Sequence, residues 1–187
     1  MKILEIGCGN NKYKSDNSED IVIGVDMANV PGVDIVHNLD TFPYPFKDNE
    51  FDMIVSTGVL EHLADLAKVM EELCRITKDK GIIKASVPYF SYLGAYQDPT
   101  HKRFFTIRTF EYFTENSIYP YYSKARVRIL NRKLRFFSNR PRFKFLDKIV
   151  NYNQRVYERI FANIFPCELL EVILEVVKTQ NNERSSQ

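Results

Sequence analysis

The sequence is short of cysteine and of long apolar runs. Its three cysteines, Cys8, Cys74 and Cys167, stand at unrelated spacings, which gives neither a disulfide framework nor a metal ladder. No set of Cys, His, Asp and Glu has ligand spacing, so the sequence predicts no metal site. No apolar stretch approaches the roughly 18 residues of a membrane span. Lys2-Ile3-Leu4-Glu5-Ile6 leads straight into polar, Gly-containing sequence rather than through a signal peptide. A reducing, cytoplasmic compartment is the resulting expectation.

What is there is ordinary for one globular domain spanning 1–187, with 44% hydrophobic and 27% charged residues. The net charge of +2 conceals an asymmetry, because residues 1–100 are acidic and residues 101–187 basic. Ten basic residues crowd into 124–148 against the single acid Asp147. Such a block suits an anionic partner, whether nucleic acid, phosphorylated metabolite or membrane surface, or else a plain solvated face.

Short apolar runs alternate with helical stretches, which predicts βαβ units and a largely parallel sheet. Strands are expected at 2–6, 21–25, 33–36, 51–56 and 81–87. Leu60, Leu63, Leu66, Val69, Met70, Leu73 and Ile76 recur at helical spacing, with Lys78, Lys80 and Gly81 as the expected helix end. Only about a dozen polar residues separate the first two strands, near the lower limit for a parallel crossover. The first crossover helix should therefore be a stub or a loop. Thr106 can cap a helix reaching about Asn116. Residues 125–136 read as a strand with a bulge near Asn131, and 169–178 as a strand rich in Val and Ile. Between them, 143–165 reads as one long amphipathic helix closed by Pro166. Its aromatics are expected to pack inward, with a membrane-surface, substrate-cover or dimerising role as alternatives.

The chemistry begins at Ile3-Leu4-Glu5-Ile6-Gly7-Cys8-Gly9-Asn10. A Gly-rich turn after a buried strand lets backbone N–H groups approach a ligand. Asp26 closes the second strand, placed to accept both hydroxyls of a ribose. Leu4-Glu5-Ile6-Gly7-Cys8-Gly9 resembles the signature of class I S-adenosylmethionine-dependent methyltransferases, of the methyltransferase type 11 kind. Gly24-Val25-Asp26 is similar to their second motif. Phe51-Asp52-Met53-Ile54-Val55-Ser56 with Val59-Leu60-Glu61-His62-Leu63, and Thr77-Lys78-Asp79-Lys80-Gly81-Ile82-Ile83, resemble the fourth strand and the lead into the fifth. The matches run in order over 2–88.

The resemblance implies a three-layer, Rossmann-like α/β sandwich. Its seven-stranded sheet would be mostly parallel with an antiparallel last strand, and the first crossover helix truncated. It makes 2–88 the core that binds S-adenosyl-L-methionine and 89–187 the substrate side and cover, with a basic amphipathic insert at about 137–166. By the same resemblance Gly7, Cys8 and Gly9 face the methionine part of the cofactor, and Glu5 is a further cofactor-binding residue. Asp26 holds the ribose, and Met27 lies against the adenine. Asn38 and Leu39 stand where relatives carry an adenine-binding acid, Asp40 being a competing assignment. Ser56, Thr57 and Gly58 lie near the sulfonium. Two departures stand out: Asn10-Asn11-Lys12 replaces a third glycine, and the helix expected after it is only a stub.

Asp98-Pro99-Thr100-His101-Lys102-Arg103 resembles a block found after the fifth strand in a subgroup of bacterial and archaeal methyltransferases. His101 is the candidate general base, with Tyr89, Asp98 and His101 as candidate substrate contacts; a loop-rigidifying role for Asp98 and His101 is the competing reading. His62 reads as structural. The expected acceptor is anionic, such as a glycan intermediate or small metabolite. The rivals are a non-catalytic cofactor-binding partner subunit, an RNA-binding module built on 124–148, and an NAD-dependent oxidoreductase. The last lacks the further glycine of a dinucleotide fingerprint.

Overall fold

Five parallel strands form around short apolar runs, three of them ending where glycine or Asp takes over. The computed structural model describes residues 1–136 and 144–178. In it β1 (Lys2–Ile6), β2 (Ile21–Asp26), β3 (Ile35–Val36), β4 (Phe51–Thr57) and β5 (Thr77–Pro88) pair in parallel. Two more strands, β6 (Val127–Arg135) and β7 (Leu169–Val176), complete a seven-stranded sheet in the order β3-β2-β1-β4-β5-β7-β6. The final strand β7 runs antiparallel to both β5 and β6. Strand order reverses between β1 and β4, so the C-terminal ends of these two strands frame the crevice where open α/β sheets bind ligands.

The sheet's two faces are covered unequally. Leu4, Ile6, Ile54, Ile83, Val87, Leu170 and Leu174 on one face join the main core. On the other, Ile3, Met53 and Val55 form a small cluster against which Tyr13, Val22 and Ile82 pack. Tyr13 belongs to the β1–β2 connection, which holds no helix. The expected short crossover is thus a loop, and a loop supplies much of the third layer there.

Helix α1 (Leu66–Ile76) buries Leu66, Val69, Met70, Leu73 and Ile76. It starts six residues later than the periodicity predicts, because Asp65 is its N-cap and accepts from Lys68 N–H at 3.1 Å. It also ends without a glycine cap. Thr77 is extended, its hydroxyl donates to Leu73 O at 2.6 Å, and β5 begins at once. Lys80 then takes a left-handed φ of 59°, and the β4–β5 register shifts between Phe51 and Met53.

Beyond β5 lie a short helix α2 (Gly94–Gln97) and, in place of the longer helix expected from Thr106, a 3-10 turn over Thr109–Phe113. The expected irregularity in β6 is present between Ile129 and Asn131. β6 is an edge strand, and side chains of α3 (Lys144–Tyr152) and of the residues after it cover its edge. Asn151 accepts from Leu134 N–H and donates to Leu134 O, at 2.8 and 2.7 Å, while Gln154 donates to Arg132 O at 2.7 Å.

The long helix expected over 143–165 is broken. Asn153 has φ −142° and caps α4 (Gln154–Val156), and a π-turn follows over Tyr157–Phe161. Its apolar residues do not all face inward as expected. Val150, Tyr157 and Ala162 are buried, but Phe145, Ile149, Tyr152, Val156, Ile160, Ile164 and Phe165 are exposed. Phe143, Arg140 and Arg142 lie outside the described residues.

Candidate functional site

The turn after β1 is shaped by two left-handed glycines, Gly7 at φ 65° and Gly9 at φ 52°. Gly7 N–H donates to Val25 O at 2.7 Å, closing the turn onto β2. A Cβ on Gly7 would lie 2.2 Å from Val59 Cγ2, so contact with Val59 as well as backbone sign requires glycine. Gly9 N–H donates to Asp26 Oδ2 at 3.0 Å, and Ala28 N–H to Asp26 Oδ1 at 2.9 Å. Each carboxylate oxygen is oriented by one amide and keeps acceptor capacity for a further donor.

A cleft of about 660 Å³ opens beside this carboxylate. Gly7, Asp26 and Met27 line it from the β1 and β2 ends, and Asn38, Leu39 and Asp40 from the segment after β3. Gly58, Val59, His62 and Leu63 line it from the segment after β4, and Pro99, Thr100 and Lys102 from the loop after β5. The volume suits a small-molecule or cofactor site.

Asp40 ties the walls together: Oδ1 accepts from Ala64 N–H at 2.7 Å and Oδ2 from Lys102 Nζ at 3.0 Å. Burial opposes the charge on Asp40, yet those two donors hold its carboxyl below the usual carboxylate range. Asn38 Oδ1 accepts from Asp40 N–H at 3.0 Å. Both competing residues therefore face the cleft, Asp40 with its two oxygens already bonded.

The loop after β5 is stitched to the segment after β4. Arg103 donates through Nε and Nη2 to Leu63 O at 3.0 and 2.7 Å, and through Nη2 to Ala64 O at 2.6 Å. Lys102 N–H donates to Glu61 O at 2.8 Å. Asp98 Oδ1 accepts from Thr100 N–H and from its hydroxyl, at 2.8 and 2.6 Å. With its proton so committed, Thr100 Oγ1 accepts from His62 Nδ1–H at 2.8 Å. His101 Nδ1–H donates to Ala95 O at 2.8 Å.

Other predicted site residues lie off the cleft lining. Glu5 is buried and accepts from Tyr13 N–H; burial pushes its carboxyl up despite that bond. Cys8 is buried with Sγ 3.5 Å from Gly32 O. Ser56 is buried behind the β4 end, whereas Thr57 is exposed. Tyr89 is fully buried and its hydroxyl donates to Glu158 Oε2 at 2.9 Å, so it is a packing residue rather than a cleft wall. His101 stands behind His62, the rings edge-on at 4.7 Å between centroids. It is His62, expected to be structural, that lines the cleft.

The sequence spacing of Glu61, His62 and His101 carries no metal pattern, but folding brings them together. One ligand atom from each lies within 4.8 Å of the others. Glu61 is 2% exposed, and its Oε2 has no hydrogen-bond partner. Burial pushes this carboxyl up, its own backbone N–H and the two imidazoles opposing.

Comparison with known proteins agrees with this arrangement. A family model described as "Methyltransferase domain" matches residues 4–84. A probable S-adenosylmethionine-dependent methyltransferase of Mycolicibacterium smegmatis is 36% identical over 99 residues, 46% of this chain and 37% of that protein. A protein of Methanocaldococcus jannaschii is 29% identical over 147 residues, 72% of this chain and 57% of its own length. The chain thus spans less than two thirds of either curated relative. The solved structure of a SAM-dependent methyltransferase from Aquifex aeolicus superposes with a TM-score of 0.58 at 13% identity, covering 95% of this chain and 82% of that one. Likeness at that identity establishes the fold.

Proposed function

We propose that this chain, which has the class I S-adenosylmethionine-dependent methyltransferase fold, transfers a methyl group from S-adenosyl-L-methionine to an anionic acceptor. The observation that carries the reading is the cleft at the β1/β4 switch point, with the Asp26 carboxylate held at its edge by Gly9 and Ala28 N–H. Bound there, the cofactor supplies an electrophilic methyl group on a positively charged sulfur.

The residues present fit that group. Asp26 has free acceptor capacity for two ribose hydroxyls. Leu39, Val59 and Leu63 give the cleft apolar wall, suited to a purine ring. Gly58, exposed at φ 64°, leaves room that a side chain would fill. Thr100 and Lys102, the latter paired with Asp40, line the side formed by the loop after β5, and the anionic acceptor is suggested instead by the basic residues of 124–148. Catalysis then consists mainly of positioning. The free cysteines Cys8, Cys74 and Cys167 are buried, which suits a reducing, cytoplasmic setting. No helix among the described residues is long and apolar enough to cross a membrane.

The test is calorimetric titration of the full chain with S-adenosyl-L-methionine, followed by assay of S-adenosylhomocysteine release against candidate anionic acceptors. Absence of cofactor binding would sink the reading.

A second feature supports peripheral contact with an anionic membrane surface. Phe145, Ile149, Tyr152, Ile160 and Phe165 are exposed along 144–165, interleaved with Lys144, Lys148, Arg155 and Arg159. An apolar face flanked by cations suits the bilayer interface. Sedimentation with phosphatidylglycerol vesicles should carry the protein down, and Ile149→Glu with Ile160→Glu should release it. Equal sedimentation with neutral vesicles would contradict the electrostatic part.

A further inference from the structure

Beside the cleft, the structure gathers two imidazoles and a buried carboxylate that no part of the reading above uses. One ligand atom of each of Glu61, His62 and His101 lies within 4.8 Å of the other two. Two further observations distinguish the cluster from a chance meeting of polar side chains.

The first is the state of the imidazoles. His101 Nδ1 faces the Ala95 carbonyl at 2.8 Å, which can only accept, so Nδ1 carries a proton and the neutral ring has its lone pair on Nε2. His62 Nδ1 faces Thr100 Oγ1, whose own hydrogen goes to Asp98 Oδ1. That again puts a proton on Nδ1, so the neutral ring has its lone pair on Nε2. Metal-binding histidines are commonly oriented this way, with the second ring nitrogen donating to a carbonyl or to a group backed by a carboxylate. The second observation is Glu61 Oε2, fully enclosed yet without a partner, on a residue that is 2% exposed. An enclosed carboxylate oxygen with no donor is costly unless something cationic or a proton meets it.

We propose that Glu61, His62 and His101 bind a divalent transition-metal ion at the wall of the cleft. Two imidazoles and one carboxylate form a ligand set suited to zinc, manganese or iron, with positions left open. Ligand atoms bonded to one ion at about 2.0–2.2 Å stand roughly 3–4 Å apart, so the cluster closes by about an ångström when the ion enters. Asp98 Oδ2, 3.9 Å from His101 Nε2, is within reach as a fourth donor. His62 and Gly58 line the cleft, and Glu61 Oε1 is 3.6 Å from where a Gly58 Cβ would stand. An ion held there would stand beside the cleft wall, with its open positions available toward the cavity. Resting on the methyl-transfer reading, they take an oxygen of the acceptor, which selects acceptors with a hydroxyl or carboxylate able to bind a metal.

The test uses chelator-treated full-length protein titrated with Zn(II) and Co(II) alone, without cofactor. The expected result is one ion per chain, with His62 and His101 imidazole resonances shifting while those of His37, the third histidine of the chain, stay in place. Glu61→Gln and His101→Asn should each weaken uptake at least tenfold. Thr100→Val should weaken it by about 10- to 100-fold, as removal of an orienting partner does. Thermal melting of the metal-free variants shows whether each is folded. If a ligand variant unfolds, Thr100→Val and the wild-type resonances decide the matter. No uptake by the wild type, or uptake that leaves His62 and His101 unshifted, overturns the site. Titration of the same metal-free sample with S-adenosyl-L-methionine keeps the two readings apart, since cofactor binding without metal uptake refutes the metal site alone.

Discussion

Gly7 and Gly9 share a left-handed backbone, but different surroundings enforce it. At Gly9 a Cβ would meet nothing within 4 Å, whereas at Gly7 it would overlap Val59. Gly9→Ala should therefore cost about 1–2 kcal/mol, the price of the backbone region alone. Gly7→Ala should cost about 2–5 kcal/mol, since overpacking adds to it. Urea titration of the two variants checks this ordering, and equal losses would contradict the role given to Val59. Asp26→Ala removes a carboxylate that, on the proposed reading, accepts two hydroxyls, each charge-assisted bond contributing about 1.5–3 kcal/mol. A fall in cofactor affinity of at least about 100-fold is expected, with melting temperature recorded because Gly9 and Ala28 N–H also lose their acceptor. These residues were readable from the sequence, since Gly-x-Gly and a strand-ending acid each have a local signature. Asp40 and Lys102 were not readable as a pair, because 62 residues separate them and their meeting depends on tertiary folding.

Among the elements, the strands were legible and the helices less so. Strand centres follow runs of apolar and β-branched residues, although β5 begins at Thr77 rather than at the expected 81, and even the irregularity near Asn131 showed as a slip in alternation. Helical periodicity, by contrast, continued through Leu60 and Leu63, although Gly58 is left-handed and Arg103 holds the Leu63 and Ala64 carbonyls outside any helix. Such a tether cannot be seen in a local pattern. The same reason explains 143–165, where Asn153 breaks the helix while Asn151 and Gln154 bond the β6 edge. Asn151→Ala leaves Leu134 N–H and C=O without that partner, and a stability loss of about 1–3 kcal/mol is expected. Faster hydrogen exchange at the Leu134 amide would report it directly, and unchanged exchange would refute the edge-covering role. Arg103→Lys keeps the charge but not the planar fork that reaches two carbonyls. It should weaken cofactor binding several-fold by freeing the cleft wall, whereas unaltered affinity would show the wall to be held by other contacts.

At the scale of the whole molecule, acidic stability should reflect the ion pairs that join distant segments. Lys78 and the Lys2 N–H hold Asp52 below the usual range, and Lys2 does so for Glu50. Burial opposes the charge on Glu72, but Arg75 and the Tyr44 N–H still hold its carboxyl down. A depressed folded value stabilises the protein above the unfolded value near about 4 and loses that effect as pH falls further. Glu5 and Glu61, both pushed up by burial, act in the opposite direction and are outnumbered. The urea midpoint should thus fall between pH 5 and pH 3, and a flat profile would contradict this balance. The cleft is likewise a property of the whole chain, assembled from the ends of β1 and β2, the segments after β3 and β4, and the loop after β5. Residues 2–88 and the block Asp98–Arg103 were both singled out in the sequence, but the stitching of Asp98–Arg103 to Glu61–Ala64 was not, because those bonds exist only in the folded chain. The measurement that tests the account most directly is calorimetric titration of the full chain with S-adenosyl-L-methionine and, in parallel, with NAD. The account predicts one site per chain for the former with micromolar affinity, weakened in Asp26→Ala, and no heat from the latter. Binding of NAD alone, or full affinity for S-adenosyl-L-methionine in Asp26→Ala, would contradict it.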